Sequence, residues 1–216
     1  MEGLVIPTLL AVSGLVVLYW FGVRRWFLRW GATRLDLRRA MTGDAAVGRA
    51  AYSATLAVTV DAPPEDIWPW LLQMGYRRGG LYSYDWLDLL FGYLDRPSAD
   101  RIIPAFQHLK IGDEIPIGRG HGFPVTALDP NRALVLSGKD KDVEWVWQFG
   151  LYRIDDRRTR LVSRNSVRTP ATPGSWLLMR AIEPAAFLMT RRMLLGIQAR
   201  AEELAASRSR EPVRAA

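Results

Sequence analysis

Residues 143–151 read Val-Glu-Trp-Val-Trp-Gln-Phe-Gly-Leu, and this stretch decides the fold. Val143, Trp145, Trp147, Phe149 and Leu151 fall on one side of a two-residue period, while Glu144, Gln148 and Gly150 share the other with Val146. The stretch is a strand with one strongly apolar face. Each aromatic ring on that face buries roughly 150–250 Å², so the face needs a broad apolar partner. The end of the chain supplies one. Met179, Ile182, Ala186, Met189, Met193, Ile197 and Leu204 recur mostly at spacings of three and four, the mark of a long amphipathic helix. The pairing predicts an α+β fold in which a curved antiparallel sheet grips a C-terminal helix, with the functional site in the space between them.

Upstream, Leu56, Val58 and Val60 alternate with Thr55, Ala57 and Thr59, a first strand that ends at Asp61. Ala62-Pro63-Pro64-Glu65-Asp66 then opens a short helix carrying Ile67, Trp70, Leu71 and Met74, with prolines and acids where a first turn favours them. Pro69 lies deep enough in it to predict a break or kink. Leu81 to Phe91 predicts a second, unusually aromatic helix with Ser83 as N-cap. From Ile102 short apolar runs separated by Gly112-Asp113, Gly118-Arg119-Gly120, Asp129-Pro130-Asn131 and Asp155-Asp156-Arg157-Arg158 predict a meander. Its strands are 114–117, 123–128, 133–137, 143–154 and 159–168. On the last, Leu161, Ser163, Asn165 and Val167 oppose Arg160, Val162, Arg164 and Arg168, so parity sends Asn165 rather than Arg164 inward. Glu183-Pro184 is expected to open the main terminal helix, with Trp176, Leu177 and Leu178 before it to touch a membrane or cap the cavity.

Gly3 to Val23 is a run of 21 residues without a charge. As a helix it spans about 31 Å, close to the ~30 Å of a bilayer's hydrocarbon core. Tyr19, Trp20 and Phe21, then Trp26 and Trp30, supply interfacial aromatics, and the positive charges all follow the run. The reading is a single-pass transmembrane anchor (1–23), N-terminus outside, with the C-terminal part cytoplasmic. A cleaved signal peptide fits poorly, since Met1-Glu2 gives no basic start. Residues 24–50 read as a basic juxtamembrane linker, loosened by Gly31, Thr42, Gly43, Asp44 and Gly48. The folded domain occupies 51–206, and the tail 207–216 is expected to fray. The formal charge of +7 gathers in Arg24, Arg25, Arg29, Arg34, Arg38 and Arg39 and in the tail. That placement fits anionic lipid headgroups better than nucleic acid. With no cysteine, and only His108 and His121, disulfides and thiolate chemistry are excluded and a metal site has few ligands.

The order strand, two short helices, meander and long final helix, together with Val60-Asp61-Ala62-Pro63-Pro64-Glu65-Asp66-Ile67-Trp68 and Gln73-Met74-Gly75, resembles the START and birch-pollen-allergen-like superfamily, SRPBCC. Its bacterial members include polyketide cyclase-like proteins. Ile111-Gly112-Asp113-Glu114-Ile115, Gly122-Phe123, Leu134-Val135-Leu136 and Thr159-Arg160-Leu161-Val162-Ser163-Arg164 support the likeness, which covers roughly residues 52 to 205. The resemblance implies the helix-grip fold and a deep apolar cavity under the terminal helix for lipids, sterols or polyketides.

The candidate ligand contacts are Tyr84, Trp86, Phe123, Trp145, Trp147, Phe149, Asn165, Met189 and Met193. The three aromatics of 143–151 either line a cavity or form plain core, and the methionines are either adaptable walls or fillers. Asp85, between Tyr84 and Trp86, is either a carboxylate in apolar surroundings suited to acid–base work or a helix cap. His121, between glycines, is either a surface-turn residue or a polar contact to ligand. No nucleophile–base–orienter set can be assembled, and no cofactor or metal is expected. The leading expectation is membrane-tethered binding or transfer of a hydrophobic small molecule or lipid. The alternatives are a polyketide cyclase or dehydratase acting through Tyr84, Asp85 or His121, and a partner-binding module whose cavity is filled by its own side chains.

Overall fold

The computed structural model describes residues 17–48, 50–120 and 122–210, with Pro7, Ser13 and Gly14. Most of the expected anchor, His121 and the last six residues of the tail lie outside the described residues. Among the described residues no helix is long and apolar enough to cross a membrane.

The meander forms as its alternation demands. Strands β1 (Tyr52–Val60), β2 (Glu114–Pro116), β3 (Gly122–Asp129), β4 (Ala133–Asp140), β5 (Val143–Arg153) and β6 (Thr159–Arg168) make one antiparallel sheet in the order β1-β6-β5-β4-β3-β2. The first and last strands are neighbours, with Leu56 opposite Ser163 and Val60 opposite Thr159. A bulge between Val125 and Ala127 lets β3 bend, as an extra residue on one strand does. On the concave face lie Leu56, Val58, Val60, Leu134, Leu136, Trp147, Phe149, Leu151 and Leu161, all in one buried cluster. This is the helix-grip arrangement, and the helix it grips is the long C-terminal one.

Helix α5 (Pro173–Arg210) is longer than its spacing predicts. Thr172 Oγ1 accepts from the Ser175 amide at 3.2 Å, the N-cap that starts the helix, and Pro173 takes the first position, where its missing N–H costs nothing. Trp176, Leu177 and Leu178 are therefore inside the helix, and Pro184 sits in its interior rather than at its start. The C-terminal half is clamped. Leu194, Ile197 and Ala201 have no exposed surface, and Gly196 passes so close to the chain that an added Cβ would lie 2.2 Å from the Tyr82 carbonyl oxygen. The helix also outlasts the expected domain end at 206, running to Arg210 with Arg208 paired to Asp66.

Two helices fill the first crossover. Helix α3 (Pro64–Leu72) packs on α5 and runs unbroken through Pro69; Gln73 N still reaches the Pro69 carbonyl at 3.2 Å. The expected break is absent because Pro69 forfeits only its own donor, and Ile67, Trp70 and Leu71 are held by the core on both sides of it. Helix α4 is short, Asp85–Leu90, not 81–91. Tyr82 takes φ 56°, which no helix continues, so the start slips to Tyr84, and Ser83 is no N-cap.

Residues 24–50 are packed against the sheet instead of hanging loose. A π-helical turn, Tyr19–Val23, continues into α1 (Arg24–Phe27), and Phe27 and Leu28 enter the main core. The chain then crosses to the convex face. There α2 (Arg34–Arg38) is closed by a capping box between Thr33 and Asp36. Leu28 and Trp30 carbonyls accept from the Thr55 and Ala57 amides of β1, Arg160 clasps Asp36 at 2.8 Å, and Arg164 clasps Asp44 at 2.6 Å.

Seating α5 on Tyr82 makes Gly196→Ala a severe substitution. We expect it to cost about 3 kcal/mol, as overpacking against backbone does. Gly174→Ala, which meets open space, should leave the melting temperature unchanged or slightly raised. Thermal unfolding by circular dichroism compares the two.

Candidate functional site

The aromatic face of β5 meets the rest of the sheet at an end that is only half closed. Trp145 and Phe123 are half-buried and stand edge to face with centroids 4.7 Å apart. Trp147 and Phe149 lie deeper, tilted on each other at 5.2 Å. Strand parity places Ser163 and Asn165 of β6 beside them. The Trp147 Nε1–H donates to Ser163 Oγ at 3.1 Å, and the Trp145 Nε1–H donates to Asn165 Oδ1. Both indole donors are thus satisfied within the wall, which presents ring faces and the remaining amide of Asn165. Gly138 supports the arrangement, since a Cβ there would sit 3.2 Å from the Phe123 ring.

The N-terminal half of α5 closes this end. Tyr52 opposes Val167, which opposes Trp145, so the three share one end of the sheet. Beside Tyr52 lies Glu183, with only 1% of its surface exposed. Burial pushes the Tyr52 phenol far above its ordinary value, and the Glu183 charge adds to the shift. Glu183 accepts two hydrogen bonds from Arg24, at 2.7 and 2.9 Å, and a further one from Arg180. Hydrogen bonding to that carboxylate outweighs burial and raises the Arg24 guanidinium above its ordinary value. Both arginines also lie over the Trp20 ring, at 5.3 and 5.6 Å, and Trp20 stacks on Trp176 at 5.9 Å. Further along, Trp26 and Phe27 pack on Phe187. The contacts Trp20–Trp176, Arg24–Glu183 and Phe27–Phe187 advance together along both chains, so the segment from Tyr19 to Phe27 and α5 run in the same direction. Their outward sides leave Phe21, Trp26, Trp176, Leu177, Leu178, Ile182 and Leu188 exposed.

The candidate residues divide. Phe123, Trp145, Trp147, Phe149 and Met193 belong to one core cluster with Asn165 beside them, whereas Met189 is half-buried and stands outside that cluster. Tyr84 and Trp86 are elsewhere. They border a separate recess of about 410 Å³ with Arg191 and Arg192, and Trp86 is 66% exposed. Asp85 accepts from the Ser98 amide at 3.0 Å and from its hydroxyl at 2.6 Å, so it braces a loop instead of facing the aromatic wall.

Four buried acids lack a counterpart among the candidates; Asp36 and Asp66 serve the strap and the end of α5, which leaves two. One is Glu183. The other is Asp88, which has no exposed surface, accepts from the Ser83 hydroxyl through Oδ2 and leaves Oδ1 without a partner. Burial, reinforced by the nearby Asp85 charge, pushes its carboxyl up to about 6. The signal for it is visible in Asp85-Trp86-Leu87-Asp88-Leu89-Leu90: of two acids in an apolar run, the one inside the helix takes the buried face. Among the described residues no group of three or more His, Cys, Asp or Glu side chains is placed to hold a metal ion.

No protein-family model and no curated protein sequence matches the chain. Solved structures with a similar chain path include a protein from Thermobifida fusca, determined by NMR, at 16% identity and a TM-score of 0.45, covering 70% of this chain and 94% of that one. The aromatase/cyclase Zhui from a Streptomyces species is 17% identical with a TM-score of 0.39, over 75% of this chain and 98% of that one. The Aha1 dimer from Colwellia psychrerythraea is 18% identical with a TM-score of 0.39, over 68% and 98%.

Asp88 gives a pH signature. Its carboxyl is raised in the folded state, from 3.8 to about 6, so the stability it contributes is full below pH 3.8 and is lost as pH rises through 6. Asp88→Asn keeps an acceptor for Ser83 and removes the titration. Its melting temperature should therefore exceed that of the parent by a margin that grows between pH 4 and pH 7; a margin independent of pH would place the charge elsewhere.

Proposed function

We propose that the protein binds a hydrophobic small molecule or lipid at the half-closed end between the sheet and the N-terminal half of α5, and that residues 1–23 tether it to a membrane. The observation that carries the binding reading is the wall itself. Phe123 and Trp145 stay half-buried at that end, edge to face, with Trp147 deeper behind them, and the two indole N–H groups are already paired, Trp145 to Asn165 and Trp147 to Ser163. A wall so arranged loses nothing when an apolar ligand displaces water from it, whereas unpaired donors would be penalised. The Asn165 amide remains to orient a ligand carbonyl or hydroxyl. Against an acid–base role for Asp85 at this wall stands its commitment to Ser98, apart from the aromatic side chains.

Tethering draws its support from the exposed collar of Phe21, Trp26, Trp176, Leu177, Leu178 and Ile182, which continues the uncharged run 3–23. A contiguous apolar collar of this kind belongs against lipid or another protein rather than water. An apolar ligand partitions into the same bilayer, so a binding site held at its surface shortens the path through water. The orientation that follows from the charges puts the N-terminus outside and the domain in the cytoplasm.

Native mass spectrometry of the full chain from mild detergent should find one defined apolar ligand per chain. Trp145→Ala should weaken its binding by about 2 kcal/mol, roughly thirtyfold, the worth of a half-buried indole. Asn165→Leu should alter which ligands are retained. A chain that carries nothing, or binding indifferent to both substitutions, overturns the assignment. For the tether, a reporter fused after Ala216 should be active on the cytoplasmic side, and activity confined to the outside reverses the orientation.

A further inference from the structure

A second recess, of about 650 Å³, lies on the opposite side of the sheet, between the convex faces of β1 and β6 and the 24–50 strap. Its charge is lopsided. Arg29, Arg34, Arg38 and Arg164 line it, against Asp44 as the acid. Asp44 is taken, bonded to Arg164 at 2.6 Å. Arg164 is further spent on Thr55 and on the Asp36 and Arg39 carbonyls, which makes it a fixed part of the floor. Arg29, Arg34 and Arg38 are exposed and make no ion pair among the described residues. Three like charges converging on one concave recess repel one another and carry no compensating fold contact. Beside Arg164 the floor holds two hydroxyls, Ser53 and Ser166, paired in register with their oxygens 3.3 Å apart.

We infer that this recess is a phosphate-binding site, distinct from the aromatic wall and independent of it. Guanidinium groups match a tetrahedral oxyanion with two parallel N–H donors each, and the Ser53–Ser166 pair, one hydroxyl bonded to the other, leaves one neutral O–H to add to such a shell. The volume admits a phosphate together with a small alcohol such as glycerol. The walls begin at Leu28 and Arg29, one residue beyond α1, which places the recess just past the end of the apolar N-terminal segment. With the chain tethered as proposed above, on which this step rests, that is the depth of a lipid phosphate. The same chemistry would take the phosphate of a soluble ester, so the ligand class is a phosphate monoester or diester, and the source is a matter for measurement.

The test uses the full chain, reconstituted in nanodiscs of phosphatidylcholine with and without phosphatidylglycerol, and in detergent with inorganic phosphate or glycerol 3-phosphate. Binding is followed by calorimetry and by native mass spectrometry of retained lipid. The variant Arg34→Gln/Arg38→Gln touches no ion pair of the fold, and Arg101→Gln/Arg132→Gln removes the same charge from exposed positions elsewhere. The recess variant should lose at least about tenfold in affinity, the worth of one charge-assisted hydrogen bond, while the control stays close to the parent. Retention of phosphatidylglycerol alone assigns the lipid source, and saturable binding of glycerol 3-phosphate assigns the soluble one. Equal losses in both variants, or no binding in either arm, overturns the site. Near-ultraviolet circular dichroism verifies that both variants are folded.

Discussion

A strand cannot present its side chains to one side only, and in β5 and β6 this constraint governs where nearly everything else goes. Turning Trp145, Trp147 and Phe149 inward obliges Val146 and Gln148 to face out, and turning Ser163 and Asn165 inward obliges Arg160, Arg164 and Ser166 to do the same. The concave face is answered by α5. The convex face needs an answer of its own, because Val135, Val146 and Val162 are as buried as the core proper. Residues 24–50 supply it, with Met41 against Val162, Val47 against Val146, and Gln148 bonded to Gly43 and Asp44. The sheet is a layer covered on both sides, and each cover brings a different chemistry with it.

The two covers are held by different physics. The C-terminal half of α5 is held mainly by apolar burial, each buried Leu or Ile contributing roughly 1.5–3 kcal/mol, with polar ties from Gln198, Arg200 and Arg208. The strap adds directional charge to its apolar contacts. Burial taken alone would push Asp36 up, but hydrogen bonds from Arg160 and Thr33 hold its carboxyl below the usual range. Arg39, half-buried, lies over the Tyr152 ring with its guanidinium carbon 3.9 Å from the ring centre. Ionic clasps of this kind are weak as net stabilisers yet costly to break singly, since the partner left behind stays desolvated. They fix position more than they add stability.

How legible this was depended on the distance over which each element is specified. Strands β3 to β6 were readable because alternation is local, and the inward position of Asn165 followed from counting residues along one strand. The strap was not readable. Its buried residues Phe27, Leu28, Met41 and Val47 follow no period, and its anchors Asp36 and Asp44 find their partners more than a hundred positions away. The start of α5 was misplaced because Pro184 carried more weight than the Thr172-Pro173 start eleven residues earlier, although a helix gripped this firmly tolerates an interior proline. Among candidate site residues the aromatics of β5 were visible through their spacing. Glu183 was not, because nothing in its neighbourhood announces that Arg24 will reach it from 159 positions away.

The Arg24–Glu183 clasp has a mechanical side. Pro184 deprives α5 of the amide that would bond to the Arg180 carbonyl, so the helix is most easily bent at the point where Glu183 is gripped. Beyond that point Leu194 and Ile197 are fully buried and Gly196 lies against Tyr82, and the segment Tyr19–Phe27 meets α5 on both sides of it, at Trp176 before and at Phe187 after. The N-terminal segment therefore splints the helix across its weakest turn.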